Sequence, residues 1–340
     1  MITIRDVATI AGVSVSTVSR VLNNSGYVSP QSRGKVELVI QRTGFAPSAA
    51  AVELSRRESS AIGVVVPEVD NRFFGEVLRG ISEICDESDL SMITCDTANS
   101  IKREDRALRM LASQRVRGLI FTPAAERGSA QSKKLLEDQL NRLNVPVVVL
   151  DRHVDSAAYS GVYYENVQSG YLAAKQLLDA GHTRLGIITG DLRLRLARER
   201  LAGYVAAVDE AGLAADERFV LYGDFTVETA YKLAREMYSS GRWPQGIVTC
   251  NNLTSLGFLK ATLELGKQVG RDIAVVGIDH VYTLDILGYN FSCVTRDTHE
   301  MGRAAVRLIS RLIENKSSAP VTVSIPCTVS LRGSELLHRP

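Results

Sequence analysis

Along the N-terminal residues the apolar positions recur at helical spacing in three short runs. Val7, Ala8, Ile10 and Ala11 form the inner face of a first helix, Gly12 stops it in the left-handed region, and Val13 fills the corner. Ser14 caps a second helix whose buried side is Val18, Val21 and Leu22. A turn cluster, Asn23-Asn24-Ser25-Gly26, follows, and Ser29-Pro30 places a cap and then proline at the first helical position. The third helix turns Val36, Val39 and Ile40 inward and ends at Gly44. Val15, Ser16, Thr17, Ser19 and Arg20 are left outside, several of them near the start of the second helix. A helix-turn-helix puts base-reading residues there, although an ordinary helical hairpin with a polar face has the same pattern.

Pro47 breaks the third helix, and Ser48 caps a segment of strong helix formers that runs to Arg57. Isolated helices shorter than about 12–15 residues are marginal in water, so this one folds only when something stabilises it. Its lone Leu54 has no core to enter. Leu is a wedge that minor-groove binders insert between base steps, while a plain linker is the other reading.

From Ala61 the texture becomes AIGVVVP, a continuous apolar strand of the kind found in parallel sheets covered on both faces. Helices predicted over 74–85, 104–113 and 132–143 alternate with strands at Ser91–Cys95, VRGLIFTP and VPVVVLD. A second set follows, with helices over 169–180, 199–211, 227–239 and 255–265 and strands RLGIITG, Phe219–Tyr222, GIVTCN and DIAVVGID. This rhythm predicts an α/β protein with two doubly wound, Rossmann-like subdomains after a helix-turn-helix head. The expected division is a head at 1–46, a hinge at 47–60 and a core at 61–335. Within the core, 61–160 plus 289–318 form one subdomain and 161–288 plus 319–335 the other. Ligands of such sheets bind beyond the carboxyl ends of the strands, here in the cleft between subdomains.

Charge sharpens the picture of the head. The net charge of the whole 340-residue chain is only +2, but residues 1–57 hold seven Lys/Arg against three Asp/Glu. A small basic head on a nearly neutral body suits a footprint on phosphates. The five cysteines, Cys85, Cys95, Cys250, Cys293 and Cys327, lie far apart with no CxxC, which reads as buried thiols rather than disulfides or metal ligands. No apolar run approaches about 18 residues and the opening MITIRDVATIAG is not a signal-like segment, so a cytoplasmic location is expected. An enzyme is disfavoured: no GxGxxG follows a strand, no GxxxxGK[ST] occurs, and no Ser/His/Asp set has a nucleophile-elbow context. His182, in GHTRL between a helix and a strand, reads as structural. No cofactor and no metal are called for. A sugar-binding protein serving transport would need an export signal and no DNA head, the reverse of this pattern.

An ordered series of fragments, DVAxxAGVSxSTVSRVLN, FxPSAxAxxLSRR, FFGEVLRGI, GLIFTP, PVVVLDR, AGHTRLGIITG, RERLAGY, CNNLTSLGFLKA and VVGID, resembles the lactose-repressor/galactose-repressor family of bacterial transcription regulators. The resemblance runs from Ile4 to about Arg332. It implies a homodimer whose heads read a pseudo-palindromic operator in double-stranded DNA, with paired hinge helices in the central minor groove. It also implies a repressor of carbohydrate-metabolism genes, with a small sugar or sugar derivative as effector in a core like that of periplasmic binding proteins. On that template Val15, Ser16 and Arg20 choose the operator. Thr3, Ser14, Thr17, Asn23, Tyr27, Ser29, Ser32 and Arg33 position the backbone, and Ala51 and Leu54 are hinge contacts. Val52 and Glu53 depart from the family's hinge, the first standing where Arg is common. The effector cleft takes Phe73, Phe74, Asp151, Arg198, Arg200, Phe225, Asn251, Asp279 and Arg296. The run LRLRLARERL adds Arg193 and Arg195 at its mouth, and at Arg296 many relatives have an uncharged side chain such as Gln. That excess of cations fits an anionic effector, a sugar phosphate or sugar acid, because Arg matches such groups bidentately; a solvated charge run is the alternative.

Overall fold

The structure is a computed structural model that describes residues 2–22, 24–45, 60–315 and 319–337. It divides into two units at Ser60/Ala61. The hinge calls Ala51 and Leu54, and Asn23 in the head, lie outside the described residues.

The head consists of α1 (Ile4–Ala11), α2 (Val15–Leu22) and α3 (Pro30–Thr43). Val7, Ala8, Ala11, Val18, Val21, Val36 and Val39 make its small core, with Val13, Leu22 and Ile40 packed at the margin. Gly12 ends α1 at φ 63° and Gly44 ends α3 at φ 62°, both conformations that glycine adopts without strain. One expectation fails: Ile10 is 59% exposed. At 100° per residue it lies well off the stripe made by Val7, Ala8 and Ala11, on the solvent side.

The core holds two six-stranded sheets of matching order. The first contains β1 (Ala61–Val66), β2 (Ser91–Asp96), β3 (Gly118–Phe121), β4 (Val147–Leu150), β5 (Ser160–Tyr164) and β11 (Thr322–Ile325), ordered β11-β5-β4-β3-β1-β2 and parallel throughout. The second contains β6 (Leu185–Ile188), β7 (Val220–Leu221), β8 (Gly246–Thr249), β9 (Ala274–Ile278), β10 (Cys293–Arg296) and β12 (Cys327–Ser330), ordered β12-β10-β9-β8-β6-β7. Only its β10–β12 pair is antiparallel among the described residues. Every residue of β1 is buried because both faces are covered. Ile62, Val64 and Val66 enter one core cluster while Ala61 and Val65 enter the other, the period of two that a strand imposes. Cys85, Cys95, Cys250 and Cys293 are buried free thiols, and Cys327 is half-buried and free. His182 is buried, its Nε2 2.8 Å from the Glu335 carbonyl oxygen. No helix of the described residues is long and apolar enough to cross a membrane.

The tail departs from the expected division in its strands. Helix α12 (Thr298–Glu314) packs on the first sheet, through Met301, Ala305 and Ile309, as the 289–318 assignment requires. Strand β10, inside that same span, instead pairs with β9 in the second sheet. Strand β11, assigned to the second subdomain, pairs with β5 in the first, Thr322 opposite Gly161. The break near residue 160 also falls inside β5, a first-sheet strand. Hydrophobic rhythm gives the strands but not their partners, and short edge strands such as β11, half of it exposed, carry little of that rhythm.

Candidate functional site

The second helix of the head presents a polar face by local capping. The Ser14 hydroxyl accepts from the Thr17 amide at 3.2 Å and lies 2.8 Å from both the Ser16 and Thr17 hydroxyls. Val15, Ser16 and Arg20 stand exposed on the turns that follow. Arg20 passes close to Gly26, where a Cβ would sit 3.6 Å from its Cδ. Thr3 caps α1 and is itself held by Asp6, to which its hydroxyl donates at 2.7 Å. The Ser29 hydroxyl accepts from the Ser32 amide at 3.3 Å and donates to the Ser32 hydroxyl at 2.9 Å. Arg33 donates to Asn24 at 3.2 Å, and Tyr27 is 85% exposed. Caps expose hydroxyls and free amides at helix starts, the groups that meet phosphate oxygens.

In the core, all nine residues expected in the effector cleft line one cavity of about 1190 Å³. Ordinary small-ligand pockets run to roughly 300–1,000 Å³, so a small molecule fits with room for the cleft to close. The cavity lies where the carboxyl ends of the two sheets face each other: Asp151 follows β4, Asn251 follows β8, Asp279 follows β9 and Arg296 ends β10. Asp151, Phe225 and Asp279 hold φ of 60°, 69° and 74°, in the left-handed region. A non-glycine residue kept there costs about 1–3 kcal/mol, and such strain gathers at ligand sites. Phe225 packs over Gly190, where any Cβ would clash with its ring.

Arg200 reaches the cavity from α8 (Arg195–Glu210) and is 3% exposed. Its Nε donates to Asn166 Oδ1 at 3.0 Å and Nη1 to the Cys250 carbonyl at 2.6 Å, both neutral acceptors. Burial therefore lowers its pKa, with Arg296 adding to the effect. Gly170 makes this placement feasible: α7 (Asn166–Asp179) passes so near that a Cβ there would strike the Arg200 carbonyl. Arg296 is ion-paired to Asp279 Oδ1, its Nε at 2.8 Å. Its guanidinium stacks on Tyr164 at 4.1 Å and lies 5.2 Å from the Phe73 ring centroid. Burial works against this charge, but Asp279, Tyr164 and Asp151 outweigh it and hold the pKa above the ordinary guanidinium value. Burial likewise pushes the Cys250 thiol up to about 12, so it stays protonated. Phe73 and Phe74 meet edge to face at 4.9 Å.

The structure redistributes several expected roles. Asn251 has little left for a ligand: Oδ1 caps α10 (Asn252–Glu264) through the Thr254 amide at 2.7 Å, and Nδ2 donates to the Phe225 carbonyl at 3.3 Å. The arginine run at the mouth does not supply free charge. Arg193 pairs with Asp191 at 2.6 Å, Arg195 with Glu199 at 2.6 Å, and the exposed Arg198 with Glu126 at 3.3 Å. Asp191 and Glu199 are local partners that spacing can suggest, whereas Glu126, 72 residues before Arg198, is one that spacing does not reveal.

Other lining residues escaped the sequence reading. Arg152 is buried and donates to Asn99 Oδ1 at 2.8 Å and to the Pro123 and Ala124 carbonyls at 3.1 and 2.8 Å. Burial lowers its pKa too. Behind it a buried pair, Glu104 with Arg127, is anchored by the Ala124 amide donating to Glu104 at 2.6 Å. The signal for Arg152 was the LDR that ends an apolar strand; Glu104 and Arg127 gave none. Among the ties that cross the cleft, Asn252 Nδ2 donates to Asn71 at 3.1 Å, Arg72 lies 4.0 Å over the Tyr282 ring, and the Arg195 amide donates to Glu126 at 2.7 Å.

Comparison with known proteins agrees with both halves. Residues 3–48 match the family model of bacterial regulatory proteins, lacI family, and residues 59–332 match that of periplasmic binding proteins and the sugar binding domain of the LacI family. The ribose operon repressor of Haemophilus influenzae is 30% identical over 334 residues, 98% of each chain. The transcriptional repressor PurR of Pasteurella multocida is 29% identical over the same length and the same shares. Among solved structures, the lac repressor dimer bound to operator and the anti-inducer ONPF superposes with a TM-score of 0.88 at 25% identity, over 98% of this chain and 99% of that one. A CelR–cellobiose complex gives 0.73 at 28% identity, over 98% and 100%.

Proposed function

The chain belongs to the LacI family of bacterial regulatory proteins, and from that premise we propose how its two halves divide the work. It is a DNA-binding transcriptional repressor under the control of a small-molecule effector. The head enters the major groove with α2, where Val15 and Ser16 at its start and Arg20 in its last turn read base edges while Thr3, Ser14, Thr17, Tyr27, Ser29, Ser32 and Arg33 hold phosphates. Two heads of a homodimer read the halves of a pseudo-palindromic site, in the cytoplasm. The convergence of all nine expected effector residues on one cavity carries the reading for the core. Asp151 and the free oxygen of Asp279 accept hydroxyl protons, Arg200 donates, and Phe225, Phe73 and Phe74 provide apolar faces for a sugar-like ligand.

The chain works by binding and not by turnover. Closure or opening of the cleft remakes the Asn71–Asn252, Arg72–Tyr282 and Glu126–Arg195 ties, and the 47–60 segment passes that change to the heads. The ligand can shift the balance only by its differential affinity for the two states, and about 5.5 kcal/mol turns 1:99 into 99:1. Selection of duplexes from a random pool by the full chain tests the DNA half; a two-fold symmetric site should emerge. No enriched sequence would refute operator reading. Release of the selected site by one member of a sugar panel tests the core.

A further inference from the structure

The charges buried at the cavity do not balance. Arg152, Arg200 and Arg296 line it with less than a tenth of their surface exposed, against the equally buried Asp151 and Asp279. Glu104 and Arg127 cancel each other, and the rim arginines 193, 195 and 198 are each cancelled by a carboxylate. Among the fully buried groups one positive charge is therefore in excess, offset in part by Glu68, a half-buried carboxylate of the same lining that acts on Arg152. The hydrogen-bond acceptors that Arg200 and Arg152 hold are all neutral. A buried charge without a counter-charge is costly. A donor also stands idle: Arg296 Nη1 is buried with no hydrogen-bond partner among the described residues, although the rest of that guanidinium is clamped by Asp279 and Tyr164.

We propose that the effector is a polyol carrying one anionic group, a carboxylate or a phosphate, which Arg296 and Arg200 bind while Asp151 and Asp279 accept its hydroxyls. The inference deepens the effector reading above and rests on it. A neutral sugar satisfies the carboxylates, and its hydroxyl oxygens can accept from Arg296 Nη1, but it leaves the extra cation uncompensated. An anion fills the idle donor and supplies the charge as well. Guanidinium forks suit the parallel oxygens of either group. The aromatic stack fixes the plane of Arg296 beforehand, so little order has to be imposed on binding.

Thermal shift and isothermal titration of the full chain against matched probes decide the matter: glucuronate, galacturonate, glucose 6-phosphate and ribose 5-phosphate, with neutral glucose, galactose and ribose. The expected result is stabilisation by an acid or a phosphate and a much weaker response to its neutral counterpart; which of the two classes responds identifies the anionic group. Arg296→Gln should weaken that probe on the order of 10- to 100-fold, whereas Arg296→Lys, which keeps the cation, should preserve the preference for the anion. If Arg296→Gln does not fold, the wild-type selectivity decides alone. A response confined to neutral sugars overturns the proposal and leaves the effector reading standing. Silence to every probe defeats that reading, and the proposal with it.

Discussion

Arg20 in the head and Arg200 in the core carry the same guanidinium, yet their surroundings are opposite. Arg20 stands in solvent on a helix that three short segments hold together. Arg200 is buried, bonded to neutral oxygens, and seated where two helices approach closely enough to require glycine. A group that meets long, charged, hydrated DNA must be accessible before binding, and water keeps its charge inexpensive. A group that meets a small molecule gains from being dry and fixed in advance, because interactions strengthen as the local dielectric falls. Recognition in the head is thus separable from folding, while in the core the two are tied together.

That contrast can be broken most forcefully at Glu104. Arg127→Ala leaves its carboxylate buried and unpaired, and should destabilise the core by about 3–5 kcal/mol in a denaturant melt. A loss below about 1 kcal/mol would mean that core charges are as dispensable as surface ones. In the head, Arg20→Ala should cost about 1–3 kcal/mol of discrimination for the selected site. It should move the melting of the head by little, and weak salt-sensitive binding should persist. Joint loss of folding and binding would contradict separability. Ser29→Ala, which removes the cap of α3, should cost about 1 kcal/mol, seen in the head's transition alone.

The smallest effect concerns His153, stacked on Tyr163 at 3.9 Å. Burial, with Arg195 nearby, lowers its pKa below the ordinary 6.5. The neutral ring is therefore favoured in the fold, and this contribution is complete above pH 6.5 and lost as the pH falls through the lowered value. His153→Phe should flatten the core's stability between pH 7 and 5; an unchanged slope would locate the pH dependence elsewhere.

Much of this was legible in the residues. Gly12, Ser14, Ser29-Pro30 and Gly44 announced the head because capping is local chemistry. AIGVVVP announced a buried parallel strand because both its faces are covered. The nine residues that line the cavity were expected there from an ordered family resemblance, and most sit at a strand end or first helical turn, where position follows from the fold; Arg200, in the second turn of its helix, and Phe225, in a loop, do not. What stayed hidden depends on partners remote in sequence. Nothing near Arg195 or Arg198 shows that Glu126 waits across the cleft, 69 and 72 residues earlier. Nothing in Thr322–Ile325 tells which sheet it joins. Ile10 differs for another reason: apolarity alone does not bury a side chain, and its angle on the helix turns it to solvent.

The path of the chain between the two sheets has a consequence for how the protein is made. It passes from the first to the second after Tyr164, returns after Arg296 and leaves again after Ile325. The edge strand of the first sheet therefore emerges from a ribosome long after its neighbour β5, which lies some 160 residues before it. Domains fold as units, N-terminal first during synthesis, and the head can do so early. The first sheet of the core cannot be completed early: it waits for β11, which follows every strand of the second sheet except β12. A chain released before Thr322 would keep its head and leave an open sheet edge, the feature that invites pairing with other chains.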